Sequence, residues 1–162
     1  MAITPETRDY RTFEVRALDT GEEDKQYRVE GYAAVFDEET VLYEYDGIEY
    51  KEVIDRNAFT GAEMRDVVMN YNHGGKPVAR TKNGTLQLTV DTRGLRVSAD
   101  LSGTEEGRRL YEEIRGGYLD QMSFAFTVNK QEYDRAKHLR RITGFKRVFD
   151  VAAVDIPAYD GT

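Results

Sequence analysis

The sequence predicts a mainly β fold of the α+β kind, an antiparallel β-barrel with one or more flanking helices, built as a single domain over residues 1–162. Three observations predict it. Short segments rich in Val, Tyr, Phe and Thr recur along the chain, turn pairs separate them at short intervals, and one segment carries a full set of helix signals. A chain of 162 residues is long enough to bury one core. The sequence holds no repeat, low-complexity tract or linker that would divide it.

Taken in order, "TFEVRAL" and "QYRVEGYAAVF" alternate as half-buried strands do, with "TGEED" as an acidic loop between them. "VLYEYDGIEYKEVI" places Asp46-Gly47 between two Tyr-rich arms, a hairpin signal because Gly tolerates the positive φ of a tight turn. "RNAFTGAEM" reads as a short helix or turn before the apolar strand "DVVMNYNH". Asn83-Gly84 marks another hairpin, and "TLQLTVDTRGLRVSADL" reads as two antiparallel strands turning at "DTRG". The helix is "SGTEEGRRLYEEIRGG": Ser102 and Glu105 resemble a capping box, Leu110 and Ile114 share a face, and Gly116 or Gly117 closes the end. In "GYLDQMSFAFTV", alternation puts Met122, Phe124, Phe126 and Val128 on one face and Ser123, Ala125 and Thr127 on the other. "NKQEYDRAKHLRR" is a charged hairpin tip, and "ITGFKRVFDVAAVDIPAY" returns as a last strand ending at Pro157.

A net charge of -7 argues against a nucleic-acid or anionic-membrane partner, which needs clustered Lys and Arg. The absence of cysteine excludes disulfides, thiolate nucleophiles and Cys-ligated zinc. The sequence has no apolar run of bilayer length, and "MAITPETRDYRTFEV" lacks the layout of a signal peptide, so the chain reads as cytosolic. Phosphate-loop, HExxH and calcium-loop spacings are missing, and neither a cofactor nor a metal is expected.

Three residues stand out as carriers of chemistry. Ser123 is a lone hydroxyl in an apolar strand, and the plain alternative is a small residue under a covering element. His73 leaves an apolar strand directly before Gly74-Gly75, which leaves open space beside the imidazole; by parity it shares a side with Val67, Met69 and Tyr71. A hydrogen-bonded histidine at a strand end is the alternative there. Asp150 shares a face with Val148, Ala152 and Val154 by the same counting, so its carboxylate needs a partner, either a histidine or an arginine such as Arg147 or Arg80. His138 lies among charges in "RAKHLRR" and Asp155 beside the turn at Pro157, and both read as exposed. Serine, histidine and aspartate could supply nucleophile, base and orienting acid, although no spacing rule makes them meet.

The segments "EGYAAVFDEET", "EVIDRNAF", "VVMNYNH", "GLRVSADL", "IRGGYLDQMSFAF" and "FDVAAVDIPAY" occur in this order, and the chain resembles the tailed-phage prohead protease family of capsid-maturation serine peptidases from about Phe13 to Tyr159. That family resembles the herpesvirus assembly proteases, with an antiparallel barrel, flanking helices and a catalytic serine and histidine on barrel strands. The resemblance implies His73 as catalytic histidine, Ser123 as nucleophile and Asp150 as the acid. The family commonly reads Glu-Val-Ser where this chain has Asp150, Val151 and Ala152, one methylene shorter at the acid. It implies an endopeptidase inside the immature capsid in the host cytoplasm, acting on the scaffold or the scaffolding region of the major capsid protein, and on itself. A homodimer is expected by analogy with the herpesvirus enzymes. Members often carry a C-terminal tail that targets the scaffold, so the ending "PAYDGT" is expected to be a processed or trimmed form. Two alternatives stand beside this reading: a non-catalytic capsid or scaffold component on the same fold, and a small-molecule esterase or amidase.

Overall fold

The computed structural model describes residues 8–18 and 27–155, which are mostly strand with one α-helix. The acidic loop predicted at "TGEED" and the strand end at Pro157 lie outside the described residues. In chain order the strands are β1 (Asp9–Glu14), β2 (Arg16–Leu18), β3 (Arg28–Val35), β4 (Thr40–Tyr45), β5 (Ile48–Ile54), β6 (Val68–Tyr71), β7 (Gly74–Arg80), β8 (Leu86–Val90) and β9 (Gly94–Asp100). The helix α1 (Glu105–Arg115) precedes the long hairpin of β10 (Gln121–Asp134) and β11 (Leu139–Val154).

That hairpin is the spine of the first sheet, whose order is β1-β10-β11-β5-β4. The second edge of β11 is shared. Its start, Leu139 to Ile142, pairs in parallel with Lys51 to Ile54, and its end, Asp150 to Ala153, pairs in parallel with Val68 to Tyr71. β7 extends the sheet from β6. The second sheet runs β2-β3-β9-β8, antiparallel throughout. Among the described residues no ladder joins the two sheets, so the architecture is two open sheets where a barrel was expected. The chain passes between them at Val15, where β1 gives way to β2, without the continuous pairing that closure requires.

One buried cluster draws on both sheets and the helix. Phe124, Phe126, Phe145, Met69 and Val151 come from the first sheet, Val29, Leu95 and Val97 from the second, and Leu110 and Ile114 from α1. Phe59 stacks on Phe145 with centroids 4.2 Å apart, which fixes the "RNAFTGAEM" segment as a series of turns over the core; it is not a helix. Each fully buried side chain of this size contributes about 1.5–3 kcal/mol. No helix among the described residues is long and apolar enough to cross a membrane.

Two local expectations are corrected. Asn83-Gly84 does not close a hairpin: Gly84, at φ +78°, ends a 3₁₀ turn over Thr81–Asn83 that carries the chain from β7 in one sheet to β8 in the other. The cap of α1 is Thr104, two residues after Ser102, and its Oγ1 accepts from Gly107 N. Glycine at 107 suits this approach, since a Cβ there would meet the Leu101 carbonyl oxygen at 2.6 Å. Asp46-Gly47 and "DTRG" do turn as expected, joining β4 to β5 and β8 to β9.

Candidate active site

Ser123 sits mid-sheet, with Thr12 of β1 on one side and Ala152 of β11 on the other. The predicted alternation holds here: Met122, Phe124 and Phe126 fill the core, while Ser123 and Ala125 look to the opposite face. Cross-strand partners share a face, so Thr12, Ala152 and Asn70 line up in a row with Ser123. The next row holds Tyr10, Ala125, Asp150 and Val68. Ser123 and Asp150 are thus diagonal neighbours, with backbones about 7–8 Å apart. Two alanines occupy the other diagonal.

Asp150 reaches this face because of a bulge. Ala125 opposes Asp150 and Phe126 opposes Val148, so Phe149 is skipped and the faces exchange. Val148 is therefore a core residue, and the expectation that it shares a face with Asp150 is overturned. Phe149 itself carries the Arg147 guanidinium 4.6 Å from its ring centroid. Arg80 pairs with Asp66, which leaves neither arginine as the partner of Asp150.

His73 arrives by a turn. β6 stops at Tyr71, which pairs with Gly74, and Asn72 and His73 between them take φ of +51° and +59°. This left-handed pair overturns the simple parity reading: Met69 goes to the core, while the imidazole reaches the face of Asn70 and Asp150. An Asn-His pair pays about 1–2 kcal/mol per residue for this backbone, of a kind concentrated at functional sites. An added Cβ at Gly74 or Gly75 would meet nothing within 4 Å, in line with the expected open space.

The structure brings His73 and Asp150 together, with Nδ1 2.8 Å from Oδ1. A carboxylate accepts only, so Nδ1 is the donor, and in the neutral imidazole Nε2 is the acceptor. Asn70, a residue the sequence reading missed, donates Nδ2 to the other carboxylate oxygen at 3.4 Å. Its signal was an amide inside an apolar strand. Tyr10 meets the imidazole edge-on, with centroids 4.9 Å apart. Ser123 Oγ makes no hydrogen bond, and neither does His73 Nε2; both atoms are shielded from solvent. His138 sits at the far hairpin tip beside Tyr50, and Asp155 is exposed and accepts from the Tyr71 hydroxyl. Among the described residues no group of His, Cys, Asp or Glu is placed to hold a metal ion.

A mostly β chain that places a carboxylate-bound imidazole on the same sheet face as a buried strand serine carries the groups of nucleophilic serine chemistry. A family model described as caudovirus prohead serine protease matches residues 11–162, and the chain belongs to that family of phage capsid-maturation proteases. Searches of curated proteins and of solved structures found no match.

Proposed function

We propose that the chain is the endopeptidase of prohead maturation, with Ser123 as nucleophile, His73 as general base and Asp150 as the orienting acid. The observation that carries this reading is His73 Nδ1 held by Asp150 on the sheet face that carries Ser123, with His73 Nε2 and Ser123 Oγ two of the four buried side-chain atoms among the described residues that lack a partner, the others being Asn70 Oδ1 and Thr127 Oγ1. A buried polar atom left unpaired costs about 1–3 kcal/mol, a cost that a substrate contact at Nε2 and Oγ would offset.

In the proposed reaction Oγ attacks the scissile carbonyl carbon while Nε2 takes its proton. The imidazolium, held by Asp150, then gives that proton to the leaving amine as the C–N bond breaks. Water enters, Nε2 takes one of its protons, and the ester to Ser123 is hydrolysed. The substrate is an extended segment of the scaffold or of the scaffolding region of the major capsid protein, and of the chain itself, inside the immature capsid. The surroundings of His73 favour a polypeptide. A groove of about 670 Å³ runs between α1 and the start of β7, lined by Tyr71, Gly74, Gly75, Val78 and Leu110 among others; it adjoins His73 in sequence, and His73, Ser123 and Asp150 are not among its lining residues. Among the described residues β7 pairs only with β6, which leaves its other edge without a strand partner and suited to an extended chain.

The shielding of Oγ, with Ser123 1% exposed, favours the second reading of a non-catalytic assembly component. Co-expression of the chain with the scaffold and major capsid protein of a caudovirus prohead separates the two. The expected result is new N-termini, identified by mass spectrometry, that vanish with Ser123→Ala while the variant keeps its circular dichroism spectrum. Processing at an unchanged rate by Ser123→Ala would remove the serine assignment.

A further inference from the structure

We propose that the β4–β5 hairpin is a docking edge for a basic, extended segment of a partner polypeptide, which adds to β4 as a further strand. Among the described residues β4 is the last strand of the first sheet and pairs only with β5, so its outer row of N–H and C=O groups is unpaired within the sheet. Exposed edges are commonly guarded by charged side chains, especially Lys, by Pro or by bulges. "TVLYEY" contains no Lys or Pro, and Glu44 is its one charge. Its one irregularity is a register shift between Val41 and Tyr43, beyond which Tyr43 to Tyr45 runs regularly against Ile48 to Tyr50.

The two faces of this hairpin differ in chemistry. Tyr43 stacks on Tyr50 at 4.8 Å, and Tyr45 opposes Ile48 on the same side. Four of the eight exposed large hydrophobic residues in the described chain (Val41, Tyr43, Tyr45 and Ile48) stand on this one hairpin. On the other face Glu44 directly opposes Glu49, a like-charge cross-strand pair, which is destabilising until a cation lies beside it. Residues 37–50 hold six acids and no Lys or Arg. Asp37 and Glu39 have basic partners, Arg56 and Arg141 for the first and Lys51 for the second, whereas Glu44, Asp46 and Glu49 have none among the described residues.

An incoming strand would alternate its side chains between these faces. The partner segment therefore carries Lys or Arg beside Glu44, whose cross-strand neighbour Glu49 lies one strand further in, with apolar residues at the alternate positions for the tyrosines. A second copy of the chain fits poorly, since edge-to-edge pairing would bring these acids against one another. Nucleic acid would be repelled. The hairpin lies against the start of β11 and Asp150 near its end, so this edge is separate from the site of Ser123 and the inference stands whether or not that serine is the nucleophile.

The test is titration of a fluorescein-labelled octapeptide of alternating Lys and Val with the full chain at low salt, followed by anisotropy. Saturable binding is expected, weakened at least about tenfold by the Glu44→Lys/Glu49→Lys double variant. An alternating Glu-Val peptide should not bind, and methylation of the peptide's backbone amides should abolish binding by removing the strand contacts. Both substitutions are at exposed positions, and circular dichroism checks the fold of the variant. Absence of binding to the wild-type chain, equal binding by the double variant, or undiminished binding of the methylated peptide would each overturn the proposal. A concentration-dependent dimer that the double variant loses would assign the edge to a second copy and overturn it as well. Fluorophosphonate labelling of Ser123 on the same preparations reports the protease reading separately.

Discussion

At the scale of single residues, the site depends on what holds the Asp150 carboxylate. His73 takes one oxygen and Asn70 the other, so the acid is fixed from two strands and a turn. Asp150→Asn should leave the fold intact and lower kcat about 10⁴-fold, because an amide in that place no longer enforces the tautomer with Nε2 free. Asn70→Ala removes a hydrogen bond to a charged group, and about a 10–100-fold loss of kcat with little change in KM is expected. Both are read from cleavage kinetics on a peptide spanning a mapped processing site. The residue types of this site were legible in the sequence: a serine in an apolar strand, a histidine before two glycines and a carboxylate among Val and Ala. Their faces were not. The bulge at Phe149 and the left-handed Asn72-His73 pair shift the count by one, and both depend on which strand lies alongside, which local periodicity does not carry.

At the scale of elements, the β10–β11 hairpin builds the candidate site by placing small residues beside Ser123 and Asp150. Ala125 stands opposite Asp150 and Ala152 opposite Ser123, which leaves room above the sheet for the imidazole. Ala152→Leu would fill that room and displace His73. A misplacement of about 1 Å costs on the order of 100-fold, so labelling of Ser123 should slow by at least that factor while urea unfolding still shows one transition. The underside of the same hairpin is core: Phe145 packs on Phe59, Phe124 and Phe126, and Phe145→Ala should cost about 3–5 kcal/mol in urea unfolding. The helix was legible because its signals are local, although the cap moved from Ser102 to Thr104. The strands were legible for the same reason, whereas Asn83-Gly84 misled because it connects sheets and the dipeptide reports only the turn.

At the scale of the whole molecule, the order of strands sets the outcome, and the order is non-local. β11 pairs with β10 beside it in sequence but also with β5 and β6, which lie far before it and divide its other edge between them. Nothing in the residue pattern specified that division, which is why a barrel was expected. The second sheet has its own fastening: Glu30 of β3 accepts from Arg16 of β2 and Arg96 of β9, and those hydrogen bonds hold its carboxyl below the usual range. A carboxyl with a lowered folded-state pKa stabilises the protein above its unfolded value, near 4.5, and that contribution is lost as pH falls through the folded value. Glu30→Gln should therefore be less stable than wild type at pH 6, with the gap closing below about pH 4, as measured by urea unfolding at each pH. A gap unchanged at low pH would mean that the glutamate acts through packing alone.

The central claim is that Ser123 and His73 form one reactive unit. Incubation of the purified chain with a fluorophosphonate over hours, long enough for local opening to expose the shielded Oγ, tests it most directly, with the adduct located by mass spectrometry. The account predicts a single adduct on Ser123 in the wild-type chain and none in His73→Ala. A folded wild-type chain that gains no adduct, or an adduct on Ser123 that forms as fast without His73, would contradict it.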